Sequence, residues 1–398
     1  MKIKIFRIMD YWIGIPLCFL FSSIQRLRNI IIPKRGNTHT VKSVLFIQFV
    51  EMGSAILAYR AIQTLKEKYP NITVYFWIFK ENADIIYLLK NIPEENVITV
   101  RNNNLFLFFI DTVKTLFKLR KMRIDTVIDL ELFSRYSSLL GFLTGAPMRI
   151  GFYRFCMEGL YTGILHTHKV MYNHYRHISE NFLTLVDSIN KPLSEVPMVK
   201  IKGVKEKFLL PHIICSEVKN NKILSQLLDE AESGTRLILI NPGLDNRLPI
   251  RCWPHNNYIE LAEKIIELKN VKVILVGKGY LPESYFLKFK NTVNLVNQLS
   301  ISELLSLCNI ASLVISHDCG LVHLASLSSI HIVALFGPET PLLYEPLTSN
   351  KKIFYKYFQC SPCLSAYNHR KTMCKDNKCM QDITVDEVYK HITDYLAR

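Results

Sequence analysis

At 398 residues, 49% of them hydrophobic, the chain is too long for one core and rich enough to fill two, since domains usually run ~100–200 residues. Lys and Arg outnumber Asp and Glu by 49 to 34, an excess of +15 that favours anionic partners such as a phosphorylated ligand, nucleic acid or acidic lipid headgroups. Six of the ten cysteines (Cys18, Cys156, Cys215, Cys252, Cys308 and Cys319) stand singly among apolar or small residues, which fits reduced core thiols and excludes a secreted disulfide framework.

The first predicted element, Tyr11–Ile24, carries no charge and is flanked by Lys2, Lys4 and Arg7 on one side and Arg26, Arg28, Lys34 and Arg35 on the other. Its fourteen residues, interrupted by Gly14 and Pro16, fall short of the ~20 that a spanning helix needs. Phe21-Ser22-Ser23-Ile24-Gln25, with Asp10 upstream, makes a poor signal-peptide cleavage site. An aromatic-rich, basic-flanked segment of this kind predicts that residues 1–40 lie in the headgroup region of an anionic inner leaflet. A helix packed on the protein itself is the alternative.

From Lys42 the pattern alternates strands and helices. The strand Val44–Ile47 runs into the turn Glu51-Met52-Gly53-Ser54, followed by a helix over Ala55–Tyr69. Strands follow at Val74–Ile78 and Val97–Val100, then a helix over Phe106–Arg120 and a strand Thr126–Leu130 that ends among carboxylates, Asp129 and Glu131. The Pro-containing stretch from Asn190 to Gly234 has connector composition, so a first α/β domain over 41–205 and a second over 206–398 are expected.

The second set begins with Leu237–Ile240 and the turn Asn241-Pro242-Gly243, and continues through a helix over Asn257–Leu268. Next come the strand Val271–Val276, the turn Gly277-Lys278-Gly279, a helix over Ile301–Cys308 and the strand Ser312–Ser316. A helix over Leu321–Ser326 and the strand Ile332–Phe336 complete the alternation, and no low-complexity segment interrupts it. In open parallel sheets ligands bind beyond the carboxyl ends of the strands, so the turns of both domains are expected to face one cleft.

Arg247 and Arg251 after the Asn241 turn suit a diphosphate, because point charges and free backbone N–H groups reinforce each other. A helix-capping loop with solvated arginines is the plainer reading. Asp318-Cys319-Gly320 precedes a helix, where Asp can cap and Gly permits close backbone approach, and His323 lies in its first turn. That histidine suits either a phosphate contact or plain packing on the sheet.

Five motifs occur in order: Asn241-Pro242-Gly243; Arg251-x-Trp253-Pro254; Gly277-Lys278-Gly279 with Glu283; Asp318-x-Gly320-x-x-His323-Leu324-Ala325; and Leu335-Phe336-Gly337-Pro338. Together they resemble the family-9 glycosyltransferases, the ADP-heptose:lipopolysaccharide heptosyltransferases. Val44–Ile56 and Leu65-Lys66-x-x-Tyr69-Pro70 are similar to that family's opening strand, glycine turn and helix, so the likeness runs from Lys42 to the C-terminus.

The resemblance implies an α/β fold of the GT-B class: two facing Rossmann-like domains with parallel sheets, here preceded by an N-terminal hydrophobic helix. It implies an inverting, metal-independent transferase that moves a heptose-like sugar from an ADP-heptose-like nucleotide-sugar to a lipid-linked or lipopolysaccharide-type saccharide. By position, Asn241, Gly243, Arg247, Gly277, Glu283, Asp318, Gly320 and His323 would bind the donor, and Arg251 would balance the leaving diphosphate. The partners expected are a nucleotide-sugar, the saccharide acceptor and anionic inner-leaflet lipids, on the cytoplasmic face of the inner membrane. Nucleic acid is not expected, because no interleaved basic and aromatic motif or zinc-finger spacing is present.

One position departs from the family pattern: its usual Met-Gly-Asp turn, whose Asp is the expected base, reads Met52-Gly53-Ser54 here. A serine hydroxyl cannot deprotonate an acceptor at neutral pH unaided, so Glu51 is the nearest substitute, with Asp129 or Glu131 as backups and Gly53, Ser54 and Asp129 on the acceptor side. Loss of transfer, leaving a nucleotide-sugar-binding sensor or assembly partner in envelope polysaccharide synthesis, is the alternative. Finally, Cys360-x-x-Cys363 with Cys374 and Cys379 has a spacing that permits a structural zinc, although the second pair is wider than CxxC and unbridged or disulfide-bridged thiols are the alternative. No cofactor is required for the transfer itself.

Overall fold

The computed structural model describes residues 3–31, 41–154, 159–192, 195, 198–203, 208–215, 221–243, 248–280, 288–289 and 291–397. The chain forms two compact units, Met1–Lys207 with Ala366–His369, and Phe208–Ser365 with Arg370–Arg398.

In the first unit, helices α1 (Ile3–Trp12) and α2 (Gly14–Ile31) precede β1 (Ser43–Ile47), α3 (Met52–Leu57), α4 (Tyr59–Lys68), β2 (Thr73–Phe79), α5 (Ala83–Leu89) and β3 (Val97–Val100). Then come α6 (Leu105–Met122), β4 (Thr126–Asp129), α7 (Arg135–Leu143), β5 (Met148–Tyr153), β6 (His168–Met171) and α8 (Ile178–Asp187). The six strands form one parallel sheet in the order β3-β2-β1-β4-β5-β6. Val44–Ile47 is wholly buried, as a central parallel strand covered on both faces must be, and large side chains such as Phe46, Phe76 and Trp77 fill the layers. Each contributes ~1.5–3 kcal/mol by leaving water.

The expected helix over Ala55–Tyr69 starts earlier and is broken at Ala58, which ends α3 and starts α4. Strands β5 and β6 were not among the expected elements. Met148-Arg149-Ile150-Gly151 and His168-Lys169-Val170-Met171 carry cations and a glycine where a buried strand usually shows an unbroken apolar run.

The N-terminal helices pack with the first unit. Gly14, Cys18 and Ser22 are buried on it, with Cys18 in one cluster with Leu139 and Leu165. Gly14 permits this approach, since a Cβ there would lie 2.9 Å from Cβ of Arg135. Asp10 secures the contact: its Oδ1 accepts from the backbone N–H of Arg135 and Tyr136 (both 2.9 Å), and its Oδ2 pairs with Arg135 Nη1 at 3.0 Å. A carboxylate on the first N–H groups of α7 satisfies orphan donors and favours the helix dipole. The opposite face is exposed, with Trp12 at 72% and Ile30 at 77%. The helical run Ile8–Ile31 is 24 residues, longer than the uncharged core in the sequence, and is long and apolar enough to cross a membrane by length and composition alone.

The second unit contains α9 (Lys222–Glu232), β7 (Arg236–Ile240), α10 (His255–Ile266), β8 (Val271–Leu275), β9 (Val293–Asn294), α11 (Ile301–Ile310), β10 (Leu313–His317), α12 (Gly320–Ala325), β11 (His331–Leu335), α13 (Pro341–Tyr344), β12 (Lys351–Phe354), α14 (Lys378–Gln381) and α15 (Val385–Leu396). Its sheet is again parallel, ordered β12-β11-β10-β7-β8-β9. Both sheets therefore follow the Rossmann order, with a topological switch point between β1 and β4 in one and between β7 and β10 in the other.

Candidate functional site

Each switch point collects residues that the sequence marks. In the second unit Asn241 leaves the end of β7, and its Nδ2 donates to Ser316 Oγ on β10 (3.1 Å) and to Cys319 Sγ (3.3 Å). Gly243 sits at φ +80, where a Cβ would lie 3.2 Å from the His255 ring and 3.3 Å from Tyr258. The turn is closed by His255 Nδ1 against the carbonyl of Pro242 (3.0 Å).

Arg251 ends the short turn Pro249–Arg251. Asn377 Nδ2 donates to the carbonyls of Ile250 and Cys252 (2.9 Å each), and the indole N–H of buried Trp253 donates to the carbonyl of Ile383 (2.8 Å). Held this way, Arg251 Nη1 donates to Asp318 Oδ2 at 3.2 Å. Asp318 is buried in the turn after β10, Gly320 opens α12, and His323 is buried in its first turn.

Sequence reasoning missed two charged neighbours. Glu339 follows the Phe336-Gly337-Pro338 turn at the end of β11 and is 1% exposed, with Arg370 Nε 3.2 Å from its Oε1. Burial, reinforced by the charge of Asp318 and opposed by Arg251, pushes its carboxyl well above the usual range. The cluster thus joins two guanidinium groups, Arg251 and Arg370, to two buried carboxyl groups, Asp318 and Glu339. The signal was its place: β11 pairs with β10, so the residue after its glycine turn borders the Asp318 turn.

Gly277 and Gly279 form the expected turn after β8, at φ +130 and +157. It is latched by Asn297, which accepts from Gly279 N (2.9 Å) and donates to Gly279 O (2.7 Å). Arg247 and Glu283, expected at the donor side, lie outside the described residues.

In the first unit the Glu51–Ser54 turn follows β1 and the carboxylates follow β4. Ser54 Oγ donates to Glu51 Oε2 at 2.9 Å, and Gly53 and Ser54 are buried in α3. Asp129 is buried and heavily bonded: its Oδ2 accepts from Ser137 Oγ (2.8 Å) and Ser138 Oγ (3.4 Å) and lies 3.3 Å from His166 Nε2. Glu131 Oε1 accepts from Phe49 N (2.7 Å), Val50 N (3.1 Å) and Gln48 Nε2 (3.1 Å), which fixes the backbone leading into Glu51. Its carboxyl is pushed up to about 7, chiefly by burial, with the backbone N–H of Phe49 pulling the other way and Asp129 adding to the rise.

The four C-terminal cysteines cluster around neighbouring turns. Cys374 N donates to Thr372 Oγ1 (3.1 Å), Cys379 is buried against Gly337, and Ser361 Oγ donates to Gly337 O. Burial, reinforced by the neighbouring thiols, pushes Cys379 up to about 11. Among the described residues no group of three or more His, Cys, Asp or Glu side chains is arranged to hold a metal, so the zinc that the cysteine spacing permits finds no site there.

Residues 113–373 match the family described as Glycosyltransferase family 9 (heptosyltransferase). Lipopolysaccharide heptosyltransferase 2 of Escherichia coli (strain K12) is 26% identical over 160 residues, covering 38% of this chain and 45% of that relative, so the matched stretch spans less than half of its length. Among solved structures, the family-9 glycosyltransferase of Veillonella parvula superposes with a TM-score of 0.67 at 17% identity, covering 91% of this chain and 99% of that one. The E. coli ADP-heptose lipopolysaccharide heptosyltransferase II does so at 0.64 and 18%, covering 89% and 98%. At these identities the structural likeness establishes the fold.

Proposed function

The chain belongs to glycosyltransferase family 9, and from that membership we propose that it transfers a heptose-like sugar, with inversion and without a metal, from a nucleotide-sugar to a lipopolysaccharide-type saccharide. The observation that carries the reading is the Arg251–Asp318 pair at the switch point of the second sheet. A cation whose turn is held by Asn377 and Trp253 suits a diphosphate, because a fixed point charge beside backbone donors favours phosphate oxygens. The ADP-heptose in the name of the E. coli structural relative makes ADP-heptose the donor to test first.

In this reading the acceptor hydroxyl attacks the anomeric carbon, the bond from that carbon to the diphosphate oxygen breaks, and the hydroxyl proton passes to Glu51. Ser54, donating to Glu51, holds the carboxylate in one orientation. Arg251 offsets the charge that develops on the diphosphate, while Asp318 and His323 orient the sugar. The N-terminal helices, through their exposed face, keep the chain at the cytoplasmic face of the inner membrane beside a lipid-linked acceptor.

A second reading, nucleotide-sugar binding without turnover, is favoured by Ser54 standing where the resembling family carries Asp. A transfer assay with ADP-heptose and a heptose-deficient lipopolysaccharide acceptor, run beside calorimetric titration with ADP, separates them. Product formation supports the transferase, binding alone supports the second reading, and neither result is compatible with both.

A further inference from the structure

Helix α6 has two apolar faces. One, formed by Phe108, Thr112, Thr115 and Leu119, is buried on the first unit. The other is formed by Phe106, Phe109, Val113 and Phe117, spaced three, four and four residues apart, which places them in one stripe along the helix. Its three phenylalanines are 70%, 66% and 69% exposed. Three aromatic rings in a row facing water are costly, and such a stripe marks a contact surface rather than scattered surface apolar residues. Lys114, Lys118 and Lys121 lie beside the stripe and are exposed. The one acid of the helix, Asp111, is paired with Arg101 (2.7 Å).

The buried face of α6 leads to the N-terminal helices. Tyr136, in the first turn of α7, packs on Phe108 with ring centroids 5.4 Å apart and places its hydroxyl 3.1 Å from Thr112 Oγ1. The same residue donates its backbone N–H to Asp10 of α1, and the Tyr11 ring lies 5.8 Å from the guanidinium of Arg135. Two elements with exposed aromatic faces, α1–α2 and α6, therefore border a single helix turn.

We propose that the Phe106–Phe109–Phe117 stripe of α6 inserts into the headgroup boundary of an anionic bilayer leaflet, as a second membrane contact beside α1–α2. The occupant follows from the chemistry. An apolar aromatic stripe rimmed by lysines is what an interfacial helix requires, with rings at the acyl boundary and ammonium groups on lipid phosphates. The inference shares with the proposed function only the placement of the first unit at a membrane, and it stands on a different element.

The test uses the full chain and sucrose-loaded phosphatidylcholine vesicles with and without phosphatidylglycerol, with Phe106→Gln, Phe109→Gln and Phe117→Gln combined in one variant. All three side chains are exposed, so the variant should melt at the wild-type temperature. Its sedimentation with phosphatidylglycerol vesicles should fall about tenfold or more, and wild type should bind pure phosphatidylcholine vesicles more weakly. A separate Trp12→Gln/Phe19→Gln variant reports on α1–α2 alone, and ADP titration of wild type reports on the transferase reading, so failure of either is distinguishable from failure here. Unchanged vesicle binding by the triple variant overturns the inference. So does a wild-type dimer that the triple variant dissociates without loss of vesicle binding, since the stripe would then belong to a second copy of the chain.

Discussion

Arg251 and Asp318 are 67 positions apart in sequence, yet Nη1 of the first lies 3.2 Å from Oδ2 of the second, with both side chains largely buried. The parallel pairing of β7 with β10 brings their loops to one sheet edge. Asn377 and Trp253 then hold the arginine's turn in place.

Arg251→Met should weaken ADP binding about tenfold or more, because a neutral side chain cannot offset a diphosphate. It should also cost about 1–3 kcal/mol of stability, since Asp318 is left buried beside Glu339 without its cation. Calorimetric titration and urea unfolding measure the two effects. Arg251→Lys should retain part of the affinity, having the charge without the planar fork. Undiminished ADP affinity in the methionine variant removes the arginine from the donor site.

Glu51→Gln should lower turnover by ~10²–10⁴-fold while leaving the Kd for ADP unchanged, since the substitution removes a proton acceptor and nothing from the donor site. Steady-state transfer kinetics set beside nucleotide titration distinguish this from a folding defect. Turnover within a fewfold of wild type would reassign the proton to another group.

Glu131 carries a pH dependence with a definite sign. Its carboxyl titrates at about 7 in the folded chain against an ordinary 4.5, so the stabilisation by the neutral form is fully present below the ordinary value and is lost as pH rises through 7. Glu131→Gln keeps a neutral acceptor for Phe49 N and Val50 N at every pH. Wild type should therefore lose ~1–3 kcal/mol relative to this variant between pH 5 and pH 8 by urea unfolding. A difference that does not change with pH contradicts the buried-carboxyl account.

Gly243→Ala meets both a left-handed backbone, φ +80, and ring atoms at 3.2–3.3 Å, whereas Gly145→Ala at φ +81 meets nothing within 4 Å. The second substitution should cost ~1 kcal/mol for backbone alone, and the first ~1–3 kcal/mol more, with weaker ADP binding. Equal melting temperatures for the two variants would mean that the His255 and Tyr258 contacts carry no energy.

The strand-and-helix alternation, the turns after β1, β7, β8 and β10, and the five motifs were all legible in the amino-acid order, because apolar runs and glycine turns are local properties of the chain. Strands β5 and β6 were not, since burial there accommodates Arg149, Gly151 and His168 through partners supplied by the fold, such as Leu165 O for the arginine. Asp10, read in sequence only as an obstacle to a signal peptide, turns out to cap α7 and to pin the N-terminal helices. Glu339 carries no motif of its own, and the burial and nearby Asp318 that push its carboxyl up arise only because β11 lies beside β10. The sequence by itself determined which segments become strands and where their turns carry charge. Strand order alone decided which of those charges meet, because electrostatic coupling and desolvation depend on separation and burial in space, which no local pattern encodes.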